Sequence, residues 1–335
     1  MTGWWWDVLG LTIVVFAVVD EARTTLAVAS RPGPLTRLTT RAVWRIARRP
    51  AVADSAPVRM VGGPGVLLIA ATVSAWFALL WLGWSLVLLG DEEAVVSSAT
   101  GAPASVWERF YFAGYSVVTL GNGAYQPSGA GFQLVTVAAA LSGMLLITLG
   151  VSYLTSVISA VVGKRSFASE VTGFGSTGAE MAAGLAAPGT TVPAVVALSS
   201  LSSTLTTLGQ QHRAYPLLHA YRPQTPELGT APAVAVLLDA VLVLSSAADP
   251  AERLPPGVRR SVLSAVQQYV AHAPTAGGEH APPAPELGAG EPGRQGLAVD
   301  AAQLAEQTAA CADLRDELSR RIAAASYDWP GTRSA

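Results

Sequence analysis

The distribution of apolar and polar residues divides the chain into three long apolar segments and a more polar second half. The apolar segments cover residues 4–26, 64–90 and 132–162. Each is long enough to cross about 30 Å of hydrocarbon, which takes roughly 20 helical residues. Acidic residues interrupt the first segment near both ends, at Asp7 and at Asp20. The pattern predicts three transmembrane helices, of which the first carries the most charge.

Composition supports a membrane location. The chain is 51% hydrophobic and only 13% charged, which is typical of an integral membrane protein. Cys311 is the single cysteine, so an intramolecular disulfide framework is excluded. The start of the chain, with Trp4, Trp5 and Trp6, lacks the positive region of a cleavable signal, and we expect a retained helix. The net charge of -2 gives no indication of a nucleic-acid partner.

The arginines predict the orientation. Seven arginines lie between residues 31 and 59 against the lone Asp54, and Lys164 and Arg165 close the third apolar segment. Because loops rich in Lys and Arg stay on the cytoplasmic side, we expect the N-terminus outside, residues 91–131 outside and everything after Lys164 inside. Topology alone explains the arginine-rich loop. The alternative is that a stretch such as 35–46 forms an interfacial helix on anionic lipid.

The second half reads as a soluble, mainly helical region. Residues 191–209 and 231–247 are apolar, but the first carries eight hydroxyl side chains and the second has Asp239 at its centre. The charge of Asp239 would cost about 2.5–3.5 kcal/mol at the centre of a bilayer. Because of this charge and of the many hydroxyl side chains in 191–209, both segments are predicted as helices with buried faces rather than as membrane spans. Residues 274–297 are rich in Pro and Gly without apolar periodicity, which predicts a flexible linker, and a final helix is expected over 298–325.

A short helix is predicted in the outer loop. Ser105 and Glu108 have the Ser-x-x-Glu spacing of a capping box. A helix from there to about Val117 would be near 18 Å long at about 1.5 Å per residue, too short to span. It must enter the bilayer partway and return, as a re-entrant segment does. Five aromatic side chains are expected to surround it: Trp107, Phe110, Tyr111, Phe112 and Tyr115.

The segment after this helix has the form Thr-x-Gly-x-Gly. It comprises Thr119, Leu120, Gly121, Asn122 and Gly123, and we call it the TLGNG segment. Glycine reaches left-handed dihedrals at little steric cost. A backbone with glycines at alternate positions can therefore turn its carbonyls inward and replace the hydration shell of an ion. The pattern is typical of an ion selectivity filter.

Residues 64–165 resemble the potassium-channel family whose subunits have two helices around a pore loop. The usual filter of that family is TVGYG; here Asn122 replaces the tyrosine, and Ala124 stands where an aspartate commonly follows. The resemblance implies a homotetramer that conducts potassium, with a hinge glycine at Gly143 and a second flexible point at Gly150. Close helix packing is the alternative role of these glycines.

The inner helix carries a polar stripe. Its hydroxyl residues recur on one helical face, and with two apolar neighbours they form the predicted cavity lining: Ile147, Thr148, Val151, Ser152, Thr155 and Ser159. Hydrogen bonding between helices is the alternative use of such a stripe. Leu154, Ile158 and Val162 are placed to narrow the path by dewetting. In a fourfold assembly, Asp91, Glu92, Glu93 and Glu108 would raise the cation concentration at the outer mouth.

The remaining motifs give weaker evidence about function. Residues 173–178 spell G-x-G-x-x-G, but no strand precedes them and no acidic residue follows at the required distance, so a dinucleotide site is rejected. Thr177 is expected to cap a helix instead. His212 and His219 lack a third ligand at suitable spacing and are predicted to be structural. No arrangement indicates catalysis or a bound cofactor.

These expectations define an all-α membrane protein, a pore-loop channel subunit with three transmembrane helices, one re-entrant pore helix and a helical cytoplasmic C-terminal region. Its predicted parts are an N-terminal transmembrane helix (1–30), an Arg-rich cytoplasmic loop (31–63), a pore domain (64–165), a cytoplasmic helical domain (166–273), the linker (274–297) and a C-terminal helix (298–335). The expected partners are potassium or other monovalent cations, the lipid bilayer and further copies of the chain. A non-selective cation channel is one alternative, and a non-conducting membrane-anchored scaffold or sensor is another.

Overall fold

The computed structural model describes residues 4–26, 33–47, 64–187, 189–215, 218, 225, 228–272, 282–325 and 327–331. They form two compact units, Met1–Ser156 and Val157–Ala335. The division falls inside one long helix, Ala130–Phe174, which also contains residue 165, where the sequence analysis placed the boundary between the pore domain and the cytoplasmic domain. His219 lies outside the described residues.

The first unit is built from helices and one small sheet. Its elements are α1 (Trp4–Thr25), α2 (Pro34–Ala47), α3 (Pro64–Leu89), β1 (Val95–Ser97), α4 (Val106–Val117), β2 (Tyr125–Pro127) and the first part of α5 (Ala130–Phe174). The two strands pair antiparallel, with Val96 opposite Gln126. The sequence analysis did not predict this sheet, because three-residue strands leave too short a pattern to recognise.

The second unit is helical throughout its described part except for isolated bridges and loops. It contains the end of α5, then α6 (Gly178–Leu185), α7 (Val192–Ala214), α8 (Thr230–Ser245), a 3₁₀ turn (Pro250–Glu252), α9 (Pro256–His272), α10 (Gly290–Arg294), α11 (Ala301–Ala310) and α12 (Ala312–Ala324).

By length and hydropathy, three helices of the described chain could cross a membrane: α3 over Leu67–Leu89, α5 and α7. The first two coincide with predicted spans. Helix α1 is not in this set, because it begins with three tryptophans and carries charged residues at both ends. Helix α7 qualifies by composition although it was predicted to be a helix with a buried face. Its leucine row, which includes Leu198 and Leu205, lies in the core of the second unit.

Helix α1 packs against α3 through two glycines. A Cβ on Gly10 would lie 2.5 Å from the carbonyl oxygen of Gly83, and a Cβ on Gly83 would lie 2.7 Å from a methyl group of Val14. Small residues of this kind let two membrane helices approach closely enough for extensive van der Waals contact. The outward side of α1 is apolar and exposed, including Leu11 and Val15, as expected of a surface that meets lipid.

Asp20 joins α1, α2 and α3 at one end. Its buried carboxylate accepts hydrogen bonds from the amide of Leu35 (2.9 Å), the hydroxyl of Thr36 (2.9 Å) and the indole nitrogen of Trp76 (2.9 Å). An acidic side chain at the first turn of a helix satisfies free amides and interacts favourably with the helix dipole. The charge that interrupts the first apolar segment therefore caps α2.

The core of the second unit surrounds α8, in which every residue except Ala231 is buried. Asp239, at the centre of this helix, makes an ion pair with Arg315 of α12, with Nε 2.9 Å from Oδ1. The guanidinium carbon of Arg315 also lies 5.1 Å from the centre of the Trp329 ring. The prediction that 231–247 is a buried helix is confirmed. The arginine partner was not predicted, since it lies 76 residues away.

Two expectations for the C-terminal part were wrong. The single helix expected over 298–325 is two helices, α11 and α12, which break at Cys311. The segment 274–297 is not a free linker in its described part, 282–297. The amide of Ala284 donates to Asp316 (3.1 Å), and Leu287 packs against the hydrophobic core. Tertiary contacts with α12 hold this proline-rich stretch, and composition does not reveal such contacts.

The cap predicted at Thr177 is confirmed, since its side chain accepts from the amide of Glu180. His212 is buried, with Nδ1 2.9 Å from the Leu208 carbonyl oxygen and its ring edge-on to Tyr269. Among the described residues no group of three or more His, Cys, Asp or Glu side chains could hold a metal ion.

Candidate ion pathway

Helix α4 begins with the predicted capping box. The amide of Glu108 donates to the Ser105 hydroxyl (3.4 Å), and the amide of Ser105 donates to the Glu108 carboxylate (2.7 Å). The hydroxyl of Tyr125 donates to the same carboxylate (2.7 Å). Hydrogen bonds from Tyr125 and then Ser105 hold the pKa of Glu108 below its usual range. The carboxylate is thus engaged at the helix start, whereas Asp91, Glu92 and Glu93 are exposed.

The small sheet joins the two ends of the loop that contains α4 and the TLGNG segment. β1 precedes α4 and β2 follows the segment, so their pairing closes a loop around both. The amide of Ser98 donates to the carbonyl of Ala124 at 3.0 Å, directly after Gly123. The chain is therefore tied down at the residue where the segment ends.

A buried arginine, missed by the sequence analysis, anchors α4. Arg109 is only 5% exposed, and its Nη1 donates to the carbonyl oxygen of Asp91 at 2.8 Å, just beyond the end of α3. A cation at the C-terminal end of a helix satisfies free carbonyls and complements the dipole. Trp81 of α3 adds a second tie by donating to the carbonyl of Phe110 at 2.9 Å. A lone arginine in an aromatic helix was the available sequence signal.

The aromatic residues predicted to surround α4 divide between two environments. Phe112 and Tyr115 are buried inside the unit, whereas Trp107 and Tyr111 are exposed. The Tyr115 hydroxyl donates to the carbonyl of Tyr125 at 2.9 Å. Only the inner part of the expected aromatic wall is therefore formed within one copy of the chain.

The TLGNG segment has an alternating backbone. Thr119, Gly121 and Gly123 have positive φ of 54°, 64° and 71°, whereas Leu120 and Asn122 do not. The amides of Thr119 and Leu120 donate back to α4, to the carbonyls of Ser116 (3.0 Å) and Tyr115 (2.8 Å). The segment is held through its N–H groups, which leaves its carbonyls available.

No hydrogen bond within the described chain is donated to the backbone carbonyls of residues 119–123. All five residues are exposed, Leu120 to 64%. A Cβ added to Gly121 or Gly123 would meet nothing within 4 Å. These two glycines are therefore required by their left-handed dihedrals and not by crowding inside the unit.

Thr119 is the strained position. It is the only non-glycine residue with positive φ in the described chain, and for a β-branched side chain this region is an outlier. Such a conformation costs of order 1–3 kcal/mol and occurs preferentially at functional sites. The sequence analysis expected left-handed backbone dihedrals only at the glycines of this segment and not at Thr119.

Asn122 is tied to α4 by its side chain. Its Nδ2 donates to the hydroxyl of Tyr111 at 2.6 Å, and the Tyr111 ring packs edge-on against Tyr115. The residue that departs from the family's usual tyrosine thus forms a hydrogen bond of its own to the helix behind the segment.

The two glycines of α5 differ in their surroundings. At Gly143 a Cβ would overlap the carbonyl oxygen of Val117, the last residue of α4, whereas at Gly150 the nearest atom is a Val73 methyl group at 3.8 Å. The sequence analysis gave close helix packing as the alternative role of both glycines, and in the structure Gly143 has such a close contact. Trp84 of α3 fixes α5 nearby by donating to the Ser142 hydroxyl at 2.9 Å.

The predicted cavity lining forms one exposed face of α5. All of its six residues are exposed in the single chain: Ile147, Thr148, Val151, Ser152, Thr155 and Ser159. The hydroxyls of Thr148 and Thr155 donate to carbonyls one turn earlier in the same helix, at 2.8 and 3.0 Å. They need no partner helix to be satisfied.

Comparison with known proteins agrees with this arrangement. The "Ion channel" family model matches residues 66–160, which include α4, the TLGNG segment and the first part of α5. The chain is 34% identical over 284 residues to the uncharacterized membrane protein YdjJ of Bacillus subtilis (strain 168), covering 84% of this chain and 82% of YdjJ. No solved structure matches the chain. The chain is therefore a multi-pass membrane protein of the same family as YdjJ, and its ion-channel domain is of the type with two helices around a pore loop.

Proposed function

We propose that the chain is one subunit of a homotetrameric cation channel that conducts potassium through the TLGNG segment. One observation carries the proposal: φ alternates in sign from Thr119 to Gly123, and the carbonyls there accept no hydrogen bond in the described chain. Alternating φ allows successive carbonyls to face one side. Such carbonyls, with the Thr119 hydroxyl, can replace the water around a cation.

A single copy cannot enclose an ion, which is why we propose assembly. The segment is fully open in one chain, and α5 exposes a row of large apolar side chains, with Leu134 exposed to 72%. Fourfold repetition would surround the ion path with four TLGNG segments. It would also cover part of the exposed α5 surface with neighbouring copies or lipid.

Below the TLGNG segment, the exposed face of α5 would line the water-filled cavity. The Thr148 and Thr155 hydroxyls donate their hydrogens within the helix, so the oxygens remain able to accept from water around a cation. In this proposal Gly150 supplies flexibility to α5. Gly143, also predicted as a hinge, would combine that role with its contact to Val117.

The proposed topology follows the arginines. The N-terminus and the loop around α4 would lie outside, and the second unit would lie in the cytoplasm. A negative outer rim of Asp91, Glu92 and Glu93 would attract cations by raising their local concentration. The second unit would receive a regulatory input.

The test is ion flux into liposomes that contain wild-type protein, Gly121→Ala or Gly101→Ala. Both glycines have positive φ, 64° and 70°, and open space around the missing Cβ. Each substitution therefore introduces similar backbone strain, of order 1–2 kcal/mol. Only Gly121 lies in the proposed ion path, so we expect Gly121→Ala to abolish flux and Gly101→Ala to retain it.

The outcomes separate three functions. No flux with the wild type, or equal flux with all three proteins, would reject conduction through this segment and favour a scaffold or sensor. If flux is present, the reversal potential in a potassium/sodium gradient tests selectivity. A value near the potassium equilibrium potential supports the proposal, and a value near zero supports a non-selective channel.

A further inference from the structure

Helix α2 presents a row of basic side chains outward. Arg37, Arg41 and Arg45 are spaced four residues apart and all are exposed. Residues with this spacing lie on one face, about 6 Å apart along the axis at about 1.5 Å per residue. The three guanidinium groups therefore form a continuous positive edge, which we call the arginine row.

No carboxylate of the described chain neutralises the row. The ion pairs among the described residues all lie in the second unit and involve other arginines. Among the described residues, the acidic residues nearest in sequence are Asp20 and Glu21, and both are buried. Asp20 is occupied by the amide of Leu35 and the side chains of Thr36 and Trp76. Within the part of the chain that the structure describes, the row therefore has no anionic partner, and anions from outside this part can bind it.

The structure also places α2 at a definite level along α3. The hydroxyl oxygens of Thr39 and Thr72 are 3.2 Å apart. Thr72 lies five residues into the apolar stretch that begins at Leu67, or about 7.5 Å along the helix axis. Helix α2 therefore packs beside the N-terminal end of a helix that is long and apolar enough to cross a membrane.

The exposed face of α2 is not uniformly polar. Leu38, exposed to 62%, and Ala42 form a second exposed row beside the arginines. An apolar row beside a basic row is the pattern of a helix that lies in the membrane interface and is attracted to anionic lipid.

We propose that the arginine row of α2 binds the phosphate groups of anionic phospholipids in the adjoining leaflet, with Leu38 and Ala42 directed toward the acyl chains. Guanidinium groups bind phosphate oxygens through paired hydrogen bonds, and basic residues near a membrane surface attract anionic lipid. Because Asp20 and Thr72 tie α2 to α1 and α3, the bound lipid would stabilise this end of the helix bundle. The site is independent of ion conduction.

The test measures lipid association directly. Full-length protein is reconstituted in phosphatidylcholine bilayers with a trace of spin-labelled phosphatidylglycerol or spin-labelled phosphatidylcholine, and the immobilised fraction of each is recorded at low salt. We expect the wild type to prefer phosphatidylglycerol. A triple variant, Arg37→Gln, Arg41→Gln and Arg45→Gln, should lose most of this preference, on the order of fivefold for each arginine that contacts a headgroup.

Two variants control for charge and folding. The triple lysine variant at the same positions keeps the charge and should keep most of the preference. The variant Arg213→Gln, Arg260→Gln and Arg294→Gln removes the same charge from exposed positions of the second unit and should behave as the wild type. If the triple glutamine variant fails to fold, Arg41→Gln alone replaces it, with a smaller loss expected.

Three results would overturn the proposal: no lipid preference in the wild type, full preference in the glutamine variant, or an equal loss in the glutamine variant and in the control variant of the second unit. None of these readings uses ion flux. A failure of the lipid site and a failure of the channel function would therefore be recognised separately.

Discussion

The carbonyl oxygen of Val117 lies directly against the Cα of Gly143, so that no side chain fits between α4 and α5 at this point. Val117 is the last residue of α4, two residues before the TLGNG segment. The contact therefore seats the end of α4 on the inner helix. It is supported from α3 by the hydrogen bonds of Trp81 to Phe110 and of Trp84 to Ser142.

Substitution of Gly143 by alanine should destabilise this seat. We expect Gly143→Ala to lower the free energy of unfolding by about 1–3 kcal/mol, the usual cost of overpacking, and to reduce ion flux because the end of α4 is displaced. Gly150→Ala is the matched control on the same helix, since its nearest atom is 3.8 Å away. Alanine there should be neutral or stabilise by about 0.5–1 kcal/mol. Thermal unfolding in detergent measures the stability of both variants. Equal effects of Gly143→Ala and Gly150→Ala would contradict the packing role of Gly143.

Loss of the Tyr111 hydroxyl should loosen the outer part of the TLGNG segment. Tyr111→Phe removes the acceptor of the 2.6 Å hydrogen bond from Asn122, which is worth about 0.5–1.5 kcal/mol. We expect global stability to change little and the potassium-to-sodium permeability ratio to fall. Reversal potentials measure the ratio. Trp107→Phe is the control, because it alters an exposed aromatic of α4 that stacks on Phe110, whereas the hydrogen bond of Asn122 goes to Tyr111. An unchanged ratio in Tyr111→Phe would show that this bond does not hold the segment.

Thr119 allows backbone strain and ion binding to be tested separately. Thr119→Gly should relieve its positive φ of 54° and raise stability by about 1 kcal/mol, while removing the hydroxyl proposed to contact the ion. Thr119→Ser keeps the hydroxyl. We expect flux to fall in the glycine variant and to persist in the serine variant. If flux persists in both, the hydroxyl is not part of the ion path.

The buried pair of Asp239 and Arg315 should be costly to break from one side. Arg315→Met leaves a carboxylate without its partner in the core, and we expect a loss of about 3–5 kcal/mol in the free energy of unfolding. The double variant Asp239→Leu with Arg315→Met should recover most of it. Arg320→Met removes a more exposed pair with Glu317 and should cost less than about 1 kcal/mol. Denaturant unfolding of the full chain provides the measurement. A small effect of Arg315→Met would mean that water reaches the site.

Local signals predicted the helices well. Uninterrupted apolar runs predicted α3 and α5, and the capping box at Ser105 predicted the start of α4. Both signals depend on residues that are close in the chain. The same reasoning failed at Cys311, where one expected helix is two, and over 282–297, where contacts with α12 hold a stretch that composition alone marks as flexible. Helix α1 was correctly placed as a helix, but the role of Asp20 as the cap of α2 was not foreseen.

By itself, the sequence determined that this is a membrane protein with a re-entrant helix and a glycine-alternating segment, because span length, capping and left-handed freedom are properties of short stretches. Only the tertiary structure decided which groups hold that segment: Arg109 on the end of α3, Tyr111 on Asn122, and Gly143 under Val117. Each of these contacts joins residues that are 11 to 26 positions apart or on different helices. Their formation depends on how the helices pack, which no local pattern encodes.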